Sequence, residues 1–335
     1  MFLSSSPNVN LALPEALNTW FRDPRYTRDI SPRGQRTLEL VEPFATKYLY
    51  PWQRVLFNPT RDANHYFHFF ESMWILAGRN DVEFLKCILP GIVNYSDDGS
   101  VFHGAYGMRL KYRNQLDNAI YELKRDPHSR RAMVTLWNPD EDSGYTGKDM
   151  PCNVAVTFKI RNGLLHMTVF NRSNDVIWGA YGANAVQFSF LQEYVAAALH
   201  VPMGTYTQIS DSFHIYPDNP PCAALMGGFL PYEDPYKYSD VDDCPILIGG
   251  EPIYQWDQDL HQFFEEFDGQ QLSGIAYRTE WWNSVSAPLW RSLNAYKADD
   301  LQGALRHAEA CIASDWRVGV TQWLQRRVAK RAEAA

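Results

Sequence analysis

The sequence predicts an α/β (α+β) protein in which a large mixed sheet is covered by helices. Two stretches, residues 154–160 and 165–169, alternate apolar residues with others, and this two-residue period is typical of half-buried strands. The dipeptide Asn162-Gly163 lies between them and readily adopts the positive φ angles of a tight hairpin turn. Over residues 184–199 the apolar residues recur at the spacing of a buried helix face. These patterns predict an antiparallel hairpin followed by a long helix.

The remaining elements follow from apolar periodicity and from the residues that end it. A helix predicted over 62–77 has its apolar residues on one face and Gly78 just past its end, and Asp126-Pro127 ends another over 114–125. The other predictions, in chain order, are an extended arm with an early helix (1–30), a turn leading into a strand (31–40), a glycine-punctuated loop (101–109), a strand (133–137), a mobile polar segment (140–150), a long acidic surface loop (231–245) and helices from about residue 254, two of them within 295–330.

The overall composition excludes several classes of protein. The chain has 335 residues, of which 45% are hydrophobic and 14% aromatic, enough for a sizeable core in one large domain or two modest ones. Its formal net charge of −8 argues against a general binder of nucleic acid or membrane surfaces, which would need a basic surface. We find neither a basic start followed by an apolar run nor an 18-residue apolar window. The sequence therefore predicts no signal peptide and no membrane span.

The cysteines indicate free thiols. The chain contains five of them, Cys87, Cys152, Cys222, Cys244 and Cys311, and none lies in a CxxC or Cys/His spacing. A disulfide framework, a zinc site or another metal site is therefore not expected. Free thiols fit a reducing cytoplasm.

Some single residues have an ordinary interpretation and a functional one. Cys152 stands at the mouth of the predicted hairpin, but lone cysteines are usually small buried apolar residues. Arg33 and Arg36 are ordinarily solvated charges of a turn. Glu71 lies among aromatic residues of a helix. Its carboxylate is either solvated at the edge of this aromatic face or buried there with a functional role. If it is buried, it would hold a proton near neutral pH and could act as a general acid or base.

The order of several motifs along the chain favours the functional interpretation of these residues. The stretches DPHSRRAMVTLWNP, MPCN, NRSNDVIWG, FSFLQEY and FHIY follow one another along the chain. From about residue 30 to 220 the sequence thereby resembles the thymidylate synthase family, which includes the pyrimidine-nucleotide hydroxymethylases. The resemblance implies a single thymidylate synthase-like domain (1–335) with a catalytic core at about 30–220 and a helical C-terminal elaboration at about 250–335. It also implies a homodimer with shared active sites, in which the two sheets pack face to face.

The resemblance assigns catalytic roles to four residues. Cys152 would be the nucleophile that adds to C6 of a pyrimidine monophosphate, and the thiolate is the reacting form. Arg172 would favour ionisation of that thiol. Glu71 would move protons through ordered water, and Asn153 would stand beside the nucleophile. The one-carbon donor would be the cosubstrate 5,10-methylenetetrahydrofolate, and no metal is implied.

The resemblance also implies the binding residues. Guanidinium groups suit phosphate oxygens, and several residues would hold the 5′-phosphate. These are Arg33, Arg172 and Ser173, together with Arg130 and Arg131 reaching across from the second subunit. His214 and Tyr216 would bind the 3′-hydroxyl of the sugar. The folate would lie against Asp175, Trp74 and Tyr106.

Asn184 is the residue implied to choose the base. Family members place an amide here for uracil and a carboxylate for cytosine. Uracil presents a donor at N3 and an acceptor at O4, and an amide satisfies both. The amide therefore predicts dUMP as the substrate rather than dCMP. One extra residue precedes Asn184 relative to the commoner pattern of the family.

Departures from the family pattern bear on the product. Asn153 stands where the synthases usually carry histidine, the segment GIVNYSDDGS has no tryptophan, SDSFHIY has one extra residue after Asp211, and QWLQRRVAKRAEAA replaces a short apolar tail. A less sealed site favours water over hydride in the last step. We therefore predict a deoxyuridylate hydroxymethylase similar to those of bacteriophages, active in the cytoplasm, or the host cytoplasm if viral. The alternatives are a thymidylate synthase, a dCMP or CMP hydroxymethylase, and a catalytically silent nucleotide- or RNA-binding relative.

Overall fold

A mixed sheet lies at the centre of the computed structural model, which describes residues 1–22, 24–226, 234–237, 241, 251–269 and 276–334. Within these residues the sheet has eight strands. They are β1 (Phe2–Ser6), β2 (Thr27–Ile30), β3 (Thr37–Leu40), β4 (Phe44–Tyr48), β5 (Met133–Thr135), β6 (Asn153–Arg161), β7 (Leu164–Asp175) and β8 (Met203–Ile215). The order is β1-β4-β8-β7-β6-β5, and β3 pairs with both β2 and β8. Pairs β1–β4 and β7–β8 are parallel and the others antiparallel, which confirms the predicted mixed sheet.

The predicted hairpin is confirmed as β6 and β7. Asn162 and Gly163 have φ angles of 52° and 76°, the left-handed values that the turn requires. On both strands alternate side chains are buried, beginning with Val156 and Phe158 on β6. Cys152 directly precedes β6 and so stands at the open end of the hairpin, as predicted.

Twelve α-helices surround the sheet among the described residues. They are α1 (Val9–Arg22), α2 (His65–Leu76), α3 (Val82–Ile88), α4 (Tyr106–Lys111), α5 (Gln115–Arg125), α6 (Pro139–Asp142), α7 (Asn184–Leu199), α8 (Pro220–Met226), α9 (Ile253–Asp268), α10 (Ala287–Lys297), α11 (Leu301–Glu309) and α12 (Ser314–Ala334). Helices α1, α5 and α7 pack on the sheet, and α2 packs on α7. The predicted helices over 62–77, 114–125 and 184–199 are therefore confirmed.

Two loop predictions were wrong in part. Residues 106–109, predicted as loop, belong to α4. The segment 140–150, predicted to be mobile, contains the end of α6 and is held by Asp142, whose carboxylate accepts hydrogen bonds of 2.8 Å from Arg109 and from His103. Most of the predicted acidic loop over 231–245 lies outside the described residues.

Among the described residues, the other face of the sheet is open to solvent in the single chain. Adjacent strands place there a row of half-exposed or exposed side chains, formed by Met133, Thr157, Thr168 and Thr207. Phe170 is 39% exposed on the same sheet. An antiparallel or mixed sheet with one covered face and one open face can pack on a second copy.

The C-terminal helices pack against α2. Phe70 of α2 packs against Phe263 and Trp290, with ring centroids 5.8 and 5.0 Å apart, and Phe69 packs against Trp316 at 5.0 Å. Arg326 and Arg327 of α12 both bind Asp62, just before α2. Among the described residues the C-terminal part of the chain contains four helices, α9 to α12, and three of them, α9, α10 and α12, contact α2.

Candidate active site

One cavity of about 600 Å³ brings half of the predicted site residues together. It lies between α2, the N-terminal end of α7, the end of β7 and the segment 89–106. Seven of the residues singled out in the sequence line it: Arg33, Glu71, Trp74, Tyr106, Asp175, Asn184 and Tyr216. A mostly apolar pocket with a few convergent polar groups is typical of a small-molecule site.

Strand pairing places Cys152 beside Arg172, although neither residue lines the cavity itself. Since β6 and β7 are antiparallel, the start of β6 lies next to the end of β7, and Arg172 N–H donates to the Cys152 carbonyl at 3.0 Å. The Arg172 guanidinium donates to the carbonyl of Pro151 at 3.0 Å and lies 3.9 Å from the Cys152 Sγ. Met150 and Pro151 themselves line the cavity.

The thiol of Cys152 experiences two opposing effects. Burial raises its pKa above the ordinary value, while the positive charges of Arg172 and Arg33 lower it. The predicted effect of Arg172 therefore has the right sign, but burial outweighs it, and the net shift is upward. Thiolate formation in this site depends on keeping both guanidinium groups close.

Glu71 is half-buried and its Oε2 atom is inaccessible to solvent, which favours the second of its two interpretations. It faces the cavity from the same side of α2 as Phe67, Trp74 and Ile75. Burial raises the pKa of Glu71 from 4.5 to about 8, although the side chain of Gln187 opposes the shift. The carboxyl group therefore exchanges a proton near neutral pH, as a general acid or base requires.

Asn184 opens α7 and is only 7% exposed. Its Nδ2 donates to Asn174 Oδ1 at 3.1 Å, and Asn174 Nδ2 donates to Ser210 Oγ at 3.1 Å. One N–H and the carbonyl oxygen of the Asn184 amide remain available. This is the donor and acceptor pair that complements O4 and N3–H of uracil.

A π-helix lies directly before Asn184, where the family resemblance counts one extra residue. Residues Val176–Ala183 form this wider helix between β7 and α7. A π-helical turn takes up one more residue than an α-helical turn and often occurs at functional sites. Asn184, the residue after this π-helix, lines the cavity.

The parallel pairing of β7 and β8 brings the sugar-binding candidates to the same end of the sheet. Asp175 pairs with His214, and the rings of His214 and Tyr216 lie 5.1 Å apart in an edge-to-face contact. Asp175 Oδ1 accepts a hydrogen bond of 2.9 Å from the Ile177 N–H, yet burial raises the pKa of the Asp175 carboxyl. Arg33 approaches from the other side on a tight turn, with a φ angle of 53°.

The remaining predicted residues lie around this centre. Ser173 pairs with Ser212 beside the cavity, and Asn153 is fully buried. The side chain of Asn153 interacts with that of Tyr106, one of the residues that line the cavity. Arg130 and Arg131 are exposed just before β5 and do not line the cavity of their own chain.

Sequence reasoning missed other residues of the cavity. Gln187, Tyr95 and Trp178 also line it, and Trp178 is 46% exposed with the Arg61 guanidinium 4.3 Å from its ring centroid. Trp178 and Tyr95 thus supply aromatic surface near the segment that has no tryptophan. Gln187 lies one helical turn after Asn184, and this i, i+3 spacing was the signal that could have found it.

Two kinds of feature are absent from the described residues. No group of three or more His, Cys, Asp or Glu in them is arranged to hold a metal ion. In the same residues, no helix combines the length and apolar character needed to cross a membrane.

The comparisons with known proteins agree with this site. The family model described as thymidylate synthase matches residues 53–226, and the chain belongs to that family. It is 40% identical over 336 residues to the deoxyuridylate hydroxymethyltransferase of Pseudomonas phage M6. The aligned region covers 96% of this chain and 93% of that protein. The protein of the same name from Bacillus phage SP01 is 41% identical over 264 residues, 72% of this chain and 67% of that one.

More distant relatives are named differently. A putative thymidylate synthase of Methanothermobacter thermautotrophicus is 42% identical over 127 residues, 37% of this chain and 56% of that protein. The fold is similar to the solved structure of thermostable thymidylate synthase A from Bacillus subtilis, with a TM-score of 0.53 and 24% identity. That similarity covers 67% of this chain and 85% of the other. The thymidylate synthase-like fold predicted from the motifs is therefore confirmed.

Proposed function

We propose that this protein is a deoxyuridylate hydroxymethylase, which moves a one-carbon unit from 5,10-methylenetetrahydrofolate to C5 of dUMP and completes the reaction with water. The observation that carries the proposal is that Glu71 and Asn184 line one cavity together with Met150 and Pro151. Cys152 directly follows Pro151 and lies beside Arg172. The proposal is supported by similarity along 96% of the chain to a phage protein named for this activity.

The chemistry begins with the Cys152 thiolate, which adds to C6 of the pyrimidine and makes C5 nucleophilic. C5 then bonds to the one-carbon unit, loses its proton and expels tetrahydrofolate, which leaves an exocyclic methylene on the ring. Water adds to this methylene and gives up a proton. The electron pair returns through the ring, restores the C5–C6 double bond and expels the thiolate, so 5-hydroxymethyl-dUMP leaves and the enzyme is regenerated.

The binding roles are part of the same proposal. Arg33, Arg172 and Ser173 would hold the phosphate, and His214 with Tyr216 would hold the sugar. Asp175, Trp74 and Tyr106 would contact the folate, which members of this family use as a cosubstrate. The reaction would take place in the cytoplasm, that of the host if the protein is viral.

A homodimer is also proposed. The open face of the sheet, with Met133, Thr157 and Phe170, would pack on the same face of a second copy. Arg130 and Arg131 are exposed beside this face and would reach the phosphate of the neighbouring site. Sedimentation of the purified protein would test this, since a monomer at micromolar concentration would contradict it.

Identification of the products tests the function directly. The protein is incubated with dUMP and methylenetetrahydrofolate, and both products are identified by mass. We expect 5-hydroxymethyl-dUMP and tetrahydrofolate. Thymidylate synthesis is the second candidate, because Tyr95 and Trp178 line the cavity and aromatic rings there would help to exclude water. The products dTMP and dihydrofolate would establish that candidate and contradict the hydroxymethylase.

The variant Cys152→Ala tests the covalent step. We expect no turnover and nearly unchanged dUMP affinity, because the thiol reacts with the ring but makes none of the proposed polar contacts to the nucleotide. Cys222→Ala is the matched control, since this cysteine also follows a proline but is buried in the core. Turnover by the Cys152 variant would show that another group is the nucleophile.

A further inference from the structure

Gln187 and Glu71 face each other across two packed helices. Gln187 lies on α7 and Glu71 on α2, and both line the cavity. Asn184 precedes Gln187 by three residues and so lies on the same face of α7. The polar side chains that these two helices contribute to the cavity lining are therefore an acid, the proposed base-reading amide and one further amide.

The amide of Gln187 has an unused oxygen. Its side chain is 5% exposed, and its Oε1 has no hydrogen-bond partner among the described residues. The Oε2 atom of Glu71 is also buried and has no hydrogen-bond partner among the described residues. Buried polar atoms nearly always have partners, and leaving one unsatisfied costs about 1–3 kcal/mol. The two unpartnered oxygen atoms belong to side chains that are close enough to interact. This indicates that a small polar molecule supplies their missing hydrogen bonds.

Water fits the pair better than the substrate ring does. A buried water needs two to four polar partners and accepts and donates at once. The Gln187 oxygen would accept one water hydrogen, and the Glu71 carboxylate in its ionised form would accept the other. The uracil edge already has a complement in the Asn184 amide, which leaves Gln187 without a role in reading the base.

We propose that Gln187 is a positioning residue that holds the attacking water against Glu71 in the hydroxymethyl-forming step. This inference rests on the proposed hydroxymethylase function. The water oxygen bonds to the exocyclic methylene carbon, and its proton passes to the Glu71 carboxylate. The electron pair of the methylene moves into the ring and then expels the Cys152 thiolate. Gln187 forms no covalent bond and undergoes no net change.

The test separates the water step from those before it. With dUMP labelled by tritium at C5, release of tritium counts every ring that has lost its C5 proton, which precedes attack by water. For the wild-type protein we expect one tritium per 5-hydroxymethyl-dUMP. For Gln187→Met, similar in size but unable to accept a hydrogen bond, we expect kcat to fall by roughly tenfold to a hundredfold, the effect of one lost hydrogen bond. Tritium release should then exceed product, and Cys152 should carry a dUMP adduct one carbon atom heavier. The KM for dUMP should change little.

Two further variants make the result specific. Gln187→Glu keeps an oxygen acceptor, and we expect it to keep tritium release and product equal even at lower turnover. Gln192→Met removes another buried amide of α7, one that donates to the Leu165 carbonyl at 2.8 Å, and we expect equal release and product there too. Dissociation constants for dUMP verify that each variant is folded.

A failure of the proposed function can be distinguished from a failure of the role proposed for Gln187. If the wild type makes dTMP, the proposed function is wrong whatever Gln187 does. If the wild type makes 5-hydroxymethyl-dUMP while Gln187→Met keeps release and product equal, the role of Gln187 alone is wrong. Uncoupling by Gln187→Glu as strong as by Gln187→Met would likewise overturn it, because the acceptor oxygen would then not matter.

Discussion

Asn174 accepts a hydrogen bond of 3.1 Å from the Asn184 side chain, and this contact decides which way the Asn184 amide faces. Asn174 is itself oriented, because its Nδ2 donates to Ser210 and, more weakly, to Gln208 at 3.5 Å. Its oxygen must therefore point at Asn184. A buried chain of amides thus leaves the proposed base-reading residue with one donor and one acceptor for the substrate.

The first prediction concerns the choice of base. In Asn184→Asp the carboxylate cannot donate to O4 of uracil or to Asn174. We expect kcat/KM for dUMP to fall by roughly 5- to 150-fold, which corresponds to about 1–3 kcal/mol for one unmade hydrogen bond. The ratio of dCMP use to dUMP use should rise. Competition assays with both nucleotides measure this ratio.

The same prediction has a structural refinement. The new carboxylate would face the Asn174 oxygen, so adding Asn174→Ala to Asn184→Asp should improve dCMP use further. If Asn184→Asp leaves dUMP use unchanged, Asn184 does not read the base.

The second prediction concerns Gly179 in the π-helix. A Cβ at this position would lie 2.5 Å from Asn174 Oδ1, closer than real contacts allow. Gly179→Ala should therefore displace Asn174 and, through it, Asn184, at a cost of about 1–3 kcal/mol for overpacking. We expect the KM for dUMP to rise roughly tenfold, measured by steady-state kinetics.

A double-mutant cycle controls for a general loss of structure. In an Asn174→Ala background the side-chain oxygen that the new Cβ would clash with is absent. Gly179→Ala should therefore add little to the KM increase caused by Asn174→Ala. Fully additive effects of the two changes would show that the alanine acts elsewhere.

The third prediction uses the pH dependence of the Cys152 thiol. Because the positive charge of Arg172 lowers the thiol pKa against the effect of burial, Arg172→Gln should raise that pKa further. The midpoint of Cys152 alkylation by iodoacetamide, followed without substrates, should move to higher pH. A Cys152→Ala background corrects for other thiols, and the exposed Arg125→Gln should leave the midpoint in place. An unchanged midpoint in Arg172→Gln would contradict the coupling.

The fourth prediction concerns stability. Burial raises the pKa of Glu71 to about 8, so between about pH 4.5 and 8 the unfolded chain ionises this group while the folded chain keeps the proton. The free energy of unfolding therefore falls as pH rises, by up to about 1.4 kcal/mol per pH unit. Glu71→Gln removes this loss, and its stability relative to the wild type should increase from pH 5 to pH 8.

Urea unfolding at three pH values measures this difference. Glu83→Gln, an exposed change on α3, should show no such trend. A stability difference for Glu71→Gln that does not vary with pH would mean that Glu71 is ionised in the folded protein.

Several elements were predictable because their signal is local. The hairpin turn needs only Asn162-Gly163, and α7 needs only its apolar spacing, so both were read from the chain. Residues 106–109 were missed because glycines there suggest a loop. The structure shows a different use for Gly107, since a Cβ would lie 2.5 Å from the Ile75 carbonyl and the glycine lets α4 approach the end of α2.

The site shows the same division between local and long-range information. The sequence by itself determined which groups are available: a thiol, an acid, two amides and several guanidinium groups in a recognisable order. Only the tertiary structure decided how they act. Antiparallel pairing sets Arg172 beside Cys152, and Asn184 lines the cavity directly after a π-helix. Burial of α2 between α7 and the C-terminal helices raises the pKa of Glu71, because desolvation depends on contacts between segments far apart in the chain.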